Sequence, residues 1–192
     1  FAHLPRKFKI AVSGAAEDRA AVAWHDVGLH LRHNAAGQVG FKVLVGGGMG
    51  RTPIIASTIR EFLPWHQILN YLEAVVRVYN RWGRRDNIYK ARIKILVKAE
   101  GQRFTEEVEA EYQDILTRDV APHTIPQAEF DRVTACFVPP ALVERAQAAT
   151  KTVAIPPERQ KDYTRWLQQN VAEHKNPALR CVTLSYKRLG QA

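Results

Sequence analysis

Lys7 and Lys9 are the first residues whose types and spacing could do chemistry. Residues 6–13 read RKFKIAVS, with Phe8, Ile10 and Val12 on one side and Lys7, Lys9 and Ala11 on the other. A period of two reads as a strand. On a strand the two lysines share a face, their backbones about 7 Å apart. Ammonium groups held so close repel each other. An anion between them relieves the repulsion and accepts hydrogen bonds from both, with Arg6 adjacent. Taken alone, the spacing fits better an edge strand whose lysines guard it against aggregation.

The run Gly46-Gly47-Gly48-Met49-Gly50-Arg51-Thr52-Pro53 is the second candidate. A strand running into glycines, with Pro53 in the first turn of a following helix, would point bare N–H groups at an anion. The named phosphate patterns fail here. A Walker A loop needs glycine where Arg51 stands, and the dinucleotide fingerprint breaks at Arg51 or, begun at Gly48, at Pro53. A tight turn or close backbone packing accounts for the glycines about as well.

A third candidate is the basic stretch from Arg77 to Lys98. Arg77, Arg81, Arg84, Arg85, Lys90, Arg92, Lys94 and Lys98 face one acid, Asp86, and the stretch that follows is acidic, from Glu100 to Asp114. Adjacent blocks of opposite sign pair as solvated helix faces. They could also form a surface for nucleic acid, although the aromatic-interleaved signatures of such modules are missing. The seven histidines form no HExxH or other metal set. Cys136 and Cys181 cannot hold an iron–sulfur cluster by themselves, since one takes four thiolates.

The elements that must position these residues can be read from periodicity. Residues 21–33 and 39–45 flank Asn34-Ala35-Ala36-Gly37-Gln38 and read as a hairpin. Ile68, Leu72, Val75, Tyr79 and Trp82 form one helical stripe ending at Gly83. A second helix is expected from about Ile88 to Ala99, stopping at Gly101, and a third with Phe104, Val108, Tyr112 and Ile115 on one face. Pro139-Pro140 and Pro156-Pro157 bracket an Ala-rich linker. A short helix over 163–170 and a strand over 179–186 follow. Strands first and helices after make the class α+β, a mixed or antiparallel sheet with helices packed on it.

The composition bounds the partners. The 192 residues are 46% hydrophobic and carry a net charge of +9. That excludes a disordered chain, and two cysteines exclude a disulfide scaffold. No long uncharged apolar run suggests a membrane span. The basic balance points to an anionic partner, and the sparse cysteines suggest a reducing, cytoplasmic setting. The chain starts at Phe1 and its one methionine is Met49, which reads as part of something longer.

The residues themselves carry a resemblance. Leu4-Pro5-Arg6-Lys7-Phe8-Lys9, His25-Asp26-Val27-Gly28, Val39-Gly40-Phe41, Val43-Leu44-Val45-Gly46-Gly47-Gly48-Met49, Gly83-Arg84-Arg85-Asp86-Asn87 and Lys90-Ala91-Arg92-Ile93-Lys94 resemble, in that order, the siroheme-dependent nitrite/sulfite reductases. The match runs from Leu4 to about Phe137. The resemblance implies six-electron reduction of sulfite to sulfide, or of nitrite to ammonia, at a siroheme coupled to a [4Fe–4S] cluster. It implies basic side chains around the bound oxyanion, with Lys7 and Lys9 as the catalytic pair, and a lysine at the position of Lys9 tilts the substrate toward sulfite. It makes Arg6, Gly47, Gly48 and Arg51 the expected cofactor-contacting positions, and Arg84, Arg85 and Arg92 structural. Its electron donor would be ferredoxin or a flavoprotein reductase, and nucleic acid is disfavoured.

The family's four-cysteine cluster motif and its upstream arginines are missing. The chain therefore resembles an internal fragment, inactive alone, completed by the remainder of the same polypeptide. The expected organisation is a first, cluster-free module over 1–138, a linker over 139–160, and over 161–192 the start of a second ferredoxin-like half-domain.

Overall fold

The hairpin forms where alternation and turn chemistry agree. Val27, Leu29, Val43 and Val45 point one way and are buried. Between them the Asn34 carboxamide oxygen accepts the N–H groups of Ala36 and Gln38, and Gly37 takes a φ of 76°, which only glycine adopts cheaply. In this computed structural model, which describes residues 3–137, 154–177 and 179–187, the hairpin is β2 (Val27–His33) and β3 (Val39–Val45). A further strand, β4 (Ser57–Pro64), pairs antiparallel with β3, and β1 (Ile10–Ser13) pairs parallel with β2. The sheet is mixed, in the order β1-β2-β3-β4.

Three helices cover it: α1 (Ile68–Trp82), α2 (Ile93–Glu100) and α3 (Gln102–Thr117). Gly101, at φ 56°, lets α3 turn back directly after α2. Tyr71, Val75 and Tyr79 of α1 and Phe104, Val108, Tyr112 and Ile115 of α3 meet the sheet's valines with Ile59 and Leu63. The α+β class is what the chain folds into. Backbone contacts divide it into Phe1–Arg132 and Val133–Ala192. A short α4 (Gln127–Thr134) follows α3 in the sequence. The second unit contains α5 (Gln160–Asn170) and an antiparallel pair, β5 (Val171–Glu173) with β6 (Arg180–Val182). Among the described residues no helix is long and apolar enough to cross a membrane. Of the expected linker over 139–160, residues 139–153 lie outside the described residues, and Pro157–Arg159 form a 3-10 turn that leads into α5.

Several elements differ from expectation, each for a local reason. The first strand begins only at Ile10, so Lys7 and Lys9 precede it. Its alternation also changes phase. Phe8 packs edge-on against Tyr79, whereas Ala11 and Ser13 are the buried strand residues and Ile10 and Val12 are exposed. Residues 22–24 make a tight 3-10 turn, which shortens the expected strand over 21–33. No helix follows Pro53. Gly48 and Ile54 exchange backbone hydrogen bonds at 2.9 and 3.0 Å, and the chain goes on into β4. The expected helix N-terminus, and the anion site built on it, are therefore absent. The second helix starts at Ile93, because Lys90 N–H turns back to Asn87. The last strand keeps only three residues.

Candidate functional site

The extended segment before β1 and the turn before β2 lie side by side. Lys9 C=O accepts the Val27 N–H at 3.1 Å. Lys9 N–H donates to the Asp26 carboxylate, also at 3.1 Å. The backbone of Lys9 is thus fixed from both sides. Arg6, Lys7 and Lys9 line a cleft of about 250 Å³ with Trp24, His25, Asp26, Met49 and Arg92. Four cations meet one carboxylate there, and that carboxylate, Asp26, is buried and already paired with Arg92 at 2.6 Å. The cleft therefore keeps a surplus of positive charge. Neither the Lys7 nor the Lys9 ammonium meets a hydrogen-bond or ion-pair partner among the described residues. Cations left open on a concave wall fit a small anion.

The remaining walls are fixed as firmly. His25 Nδ1 lies 3.0 Å from Ala21 O, a carbonyl that can only accept, so that nitrogen carries a hydrogen and the ring is held in place. Arg6 donates to Ile88 O at 2.8 Å. The Lys94 ammonium, buried beneath the glycine loop, donates to Gly48 O, Met49 O and Thr52 O at 3.4, 3.2 and 2.6 Å. Burial pushes its pKa below the usual lysine value, and the positive charge of Arg92 pushes the same way. Replacing Lys94 with methionine keeps the apolar stem and leaves these carbonyls without their donor. The expected cost is about 2 kcal/mol in urea unfolding, with no loss of helix by circular dichroism.

The glycines serve packing. A Cβ on Gly47 would stand 2.5 Å from Ala23 O and 2.6 Å from His25 O, and one on Gly48 would stand 2.8 Å from the Arg92 guanidinium. They let the loop close against the turn that carries Trp24 and His25. Arg51 lies outside the cleft and lines a neighbouring hollow of about 560 Å³ with Tyr89 and Lys90, which Arg6 and Arg92 also border.

The long basic stretch is mostly engaged within the fold. Arg77 pairs with Glu73, Glu111 and Asp119, Arg81 with Glu107 and Glu111, and Arg84 with Asp86. Arg85 bridges His3 O, Asn80 and Gly83 O. Arg92 is the exception to its structural assignment, since it faces the cleft while pairing with Asp26. Spacing gave no sign of Asp26, Arg92, Trp24 or Met49 as lining residues. Asp26, Arg92 and Met49 stand in motifs that carry the resemblance, and Trp24 in none of them.

Among the described residues no group of three or more His, Cys, Asp or Glu could hold a metal ion. Cys136 and Cys181 are exposed. The chain's two cysteines do not fit a [4Fe–4S] cluster, which needs four. Its cations do fit carboxylate or oxyanion groups.

A family model described as the nitrite and sulphite reductase 4Fe-4S domain matches residues 1–116. The sulfite reductase (ferredoxin) 2 of Mycolicibacterium paratuberculosis is 37% identical over 114 residues, which is 58% of this chain and 20% of that protein. The sulfite reductase (ferredoxin) of Synechococcus elongatus is 37% identical over 116 residues, 56% of this chain and 19% of that one. The sulfite reductase (NADPH) hemoprotein beta-component of Shewanella sp. strain W3-18-1 is 34% identical over 115 residues, 56% of this chain and 20% of that one. The solved structure of the Mycobacterium tuberculosis NirA protein aligns with a TM-score of 0.54 at 31% identity, over 59% of this chain and 21% of that one. The chain spans about a fifth of the length of these relatives.

Proposed function

The chain belongs to the nitrite and sulphite reductase family, and from that premise we propose that its cationic cleft is part of the substrate-facing wall of a sulfite reductase. The observation that carries this reading is the convergence of Arg6, Lys7, Lys9 and Arg92 on one concavity. Lys7 and Lys9 present unpartnered ammonium groups, and a doubly charged oxyanion accepts hydrogen bonds from both. Lysine at position 9 favours sulfite over nitrite as the substrate.

Siroheme, the family's redox cofactor, would deliver electrons to the sulfur when bound. Arg6, which borders both the cleft and the neighbouring hollow that Arg51 lines, would hold its carboxylates. A cleft of about 250 Å³ suits an oxyanion and does not enclose a macrocycle. No step is assigned to the cluster, whose ligands this chain does not supply. The chemistry left to these residues is electrostatic and protolytic. Each S–O bond that breaks leaves an oxygen that must be protonated. An ammonium beside it stabilises the developing charge and can hand over its proton. The names of the relatives supply two electron donors, ferredoxin and NADPH.

Calorimetric titration of the 192-residue chain with sulfite at low salt tests the reading. Binding in the range of about 1 mM is expected, and its loss in the Lys7→Ala, Lys9→Ala double variant. A chain silent toward sulfite, or a double variant that binds it unchanged, overturns the assignment. Tight, steeply salt-dependent binding of duplex DNA in the same conditions would favour a nucleic-acid module instead.

A further inference from the structure

Asp26 is the one acid among the residues lining the cleft, and it is almost completely buried, at 2% exposure. Its two carboxylate oxygens do different work. Oδ2 accepts the backbone N–H of Lys9 at 3.1 Å, and Oδ1 accepts from the Arg92 guanidinium at 2.6 Å. Its own carbonyl accepts the Gly46 N–H at 2.9 Å, which ties in the start of the glycine loop. Arg92 stands at the position just before α2 and reaches Met49 O at 3.4 Å. Asp26 thus joins the lysine segment to the head of α2 through its side chain, and the glycine loop through its backbone.

We infer that Asp26 is a positioning residue that holds Lys9 and Arg92 at the spacing an oxyanion needs. This rests on the oxyanion reading of the cleft. The inference runs against simple charge counting. Removing a carboxylate raises the positive charge of the cleft, so a purely electrostatic account expects Asp26→Asn and Asp26→Ala to bind anions more tightly. Positioning expects the reverse, because in both variants Arg92 loses the charged partner that fixes its reach, and in Asp26→Ala Lys9 also loses the anchor of its backbone.

Two measurements on the full chain decide the matter. The first is hydrogen exchange at the Lys9 amide, with the Leu29 and Val43 amides of the sheet as internal controls. In Asp26→Ala the Lys9 amide is expected to exchange at least tenfold faster while both controls keep their protection. The second is the sulfite dissociation constant, expected to rise several-fold in both variants. An unchanged Lys9 amide overturns the inference, and so does tighter sulfite binding in either variant. If Asp26→Ala fails to fold, the nearly isosteric Asp26→Asn carries the sulfite measurement, since its carboxamide oxygen remains an acceptor for the Lys9 N–H. If the unsubstituted chain binds no sulfite, the oxyanion reading fails, and the amide exchange alone still decides whether Asp26 anchors Lys9.

Discussion

In a reductase to which this chain contributes, Lys9→Ala is expected to lower sulfite turnover by about 100-fold or more, the usual effect of removing a positioned acid or electrostatic stabiliser. The backbone of Lys9 is held by Asp26 on its N–H and by Val27 on its carbonyl. Truncation beyond Cβ disturbs neither bond, so the variant removes an ammonium and little else. In the proposed role the ammonium acts on charge that develops as an S–O bond breaks. The loss should therefore fall on kcat more than on KM. If Lys9 also hands over a proton, the basic limb of the pH–rate profile should move or disappear. Lys9→Arg restores charge but not a compact, transferable proton, so it should recover substrate binding better than turnover. Lys7→Ala should show the same pattern. Near-normal turnover in both alanine variants would remove the pair from catalysis.

How much of this was legible in the sequence depends on whether local pattern or distant contact decides the position. The hairpin β2–β3 and the stripes of α1 and α3 were legible because one face of each is buried and the spacing records it. The α2–α3 break at Gly101 was legible for the same reason. β4 was not, because the reading carried Pro53 into a helix. Nothing local announces that Gly48 and Ile54 will spend their donors on each other. The phase of β1 was misread because Phe8 belongs to the core under Tyr79, while the strand proper starts two residues later.

The lysines of the candidate site were visible from their types. What turns them toward a cleft was not, because Asp26 and Arg92 lie 66 positions apart and meet only when α2 docks against the glycine loop. Periodicity carries no information about such a pair. Both residues lie in motifs that carry the resemblance, and neither motif says that the two meet.

The paired blocks of opposite charge lead to a second large effect, on stability. Glu111 of α3 is buried, at 8% exposure, and accepts from Arg77 at 3.1 Å and Arg81 at 2.5 Å. Burial alone would push its pKa up. The hydrogen bonds and charges of Arg81 and Arg77 outweigh that and hold it below the ordinary glutamate value. Glu73, Glu107 and Asp119 complete the set of charges around the two arginines. A carboxyl whose folded pKa is depressed stabilises the fold fully above its unfolded pKa of about 4.3. It loses that contribution as pH falls through the lower, folded value.

Glu111→Gln keeps the shape and removes the charge. Breaking a buried pair costs about 3–5 kcal/mol. Arg81 is 45% exposed and both arginines keep other acids, so about 2 kcal/mol is expected at pH 7. Urea unfolding of parent and variant should show this gap undiminished at pH 5. It should close only below the ordinary glutamate range, as the parent's own Glu111 takes up its proton. A gap of constant size from pH 7 to pH 3 would mean that the loss comes from packing, and that the basic and acidic blocks of α1 and α3 are held together by shape rather than by charge.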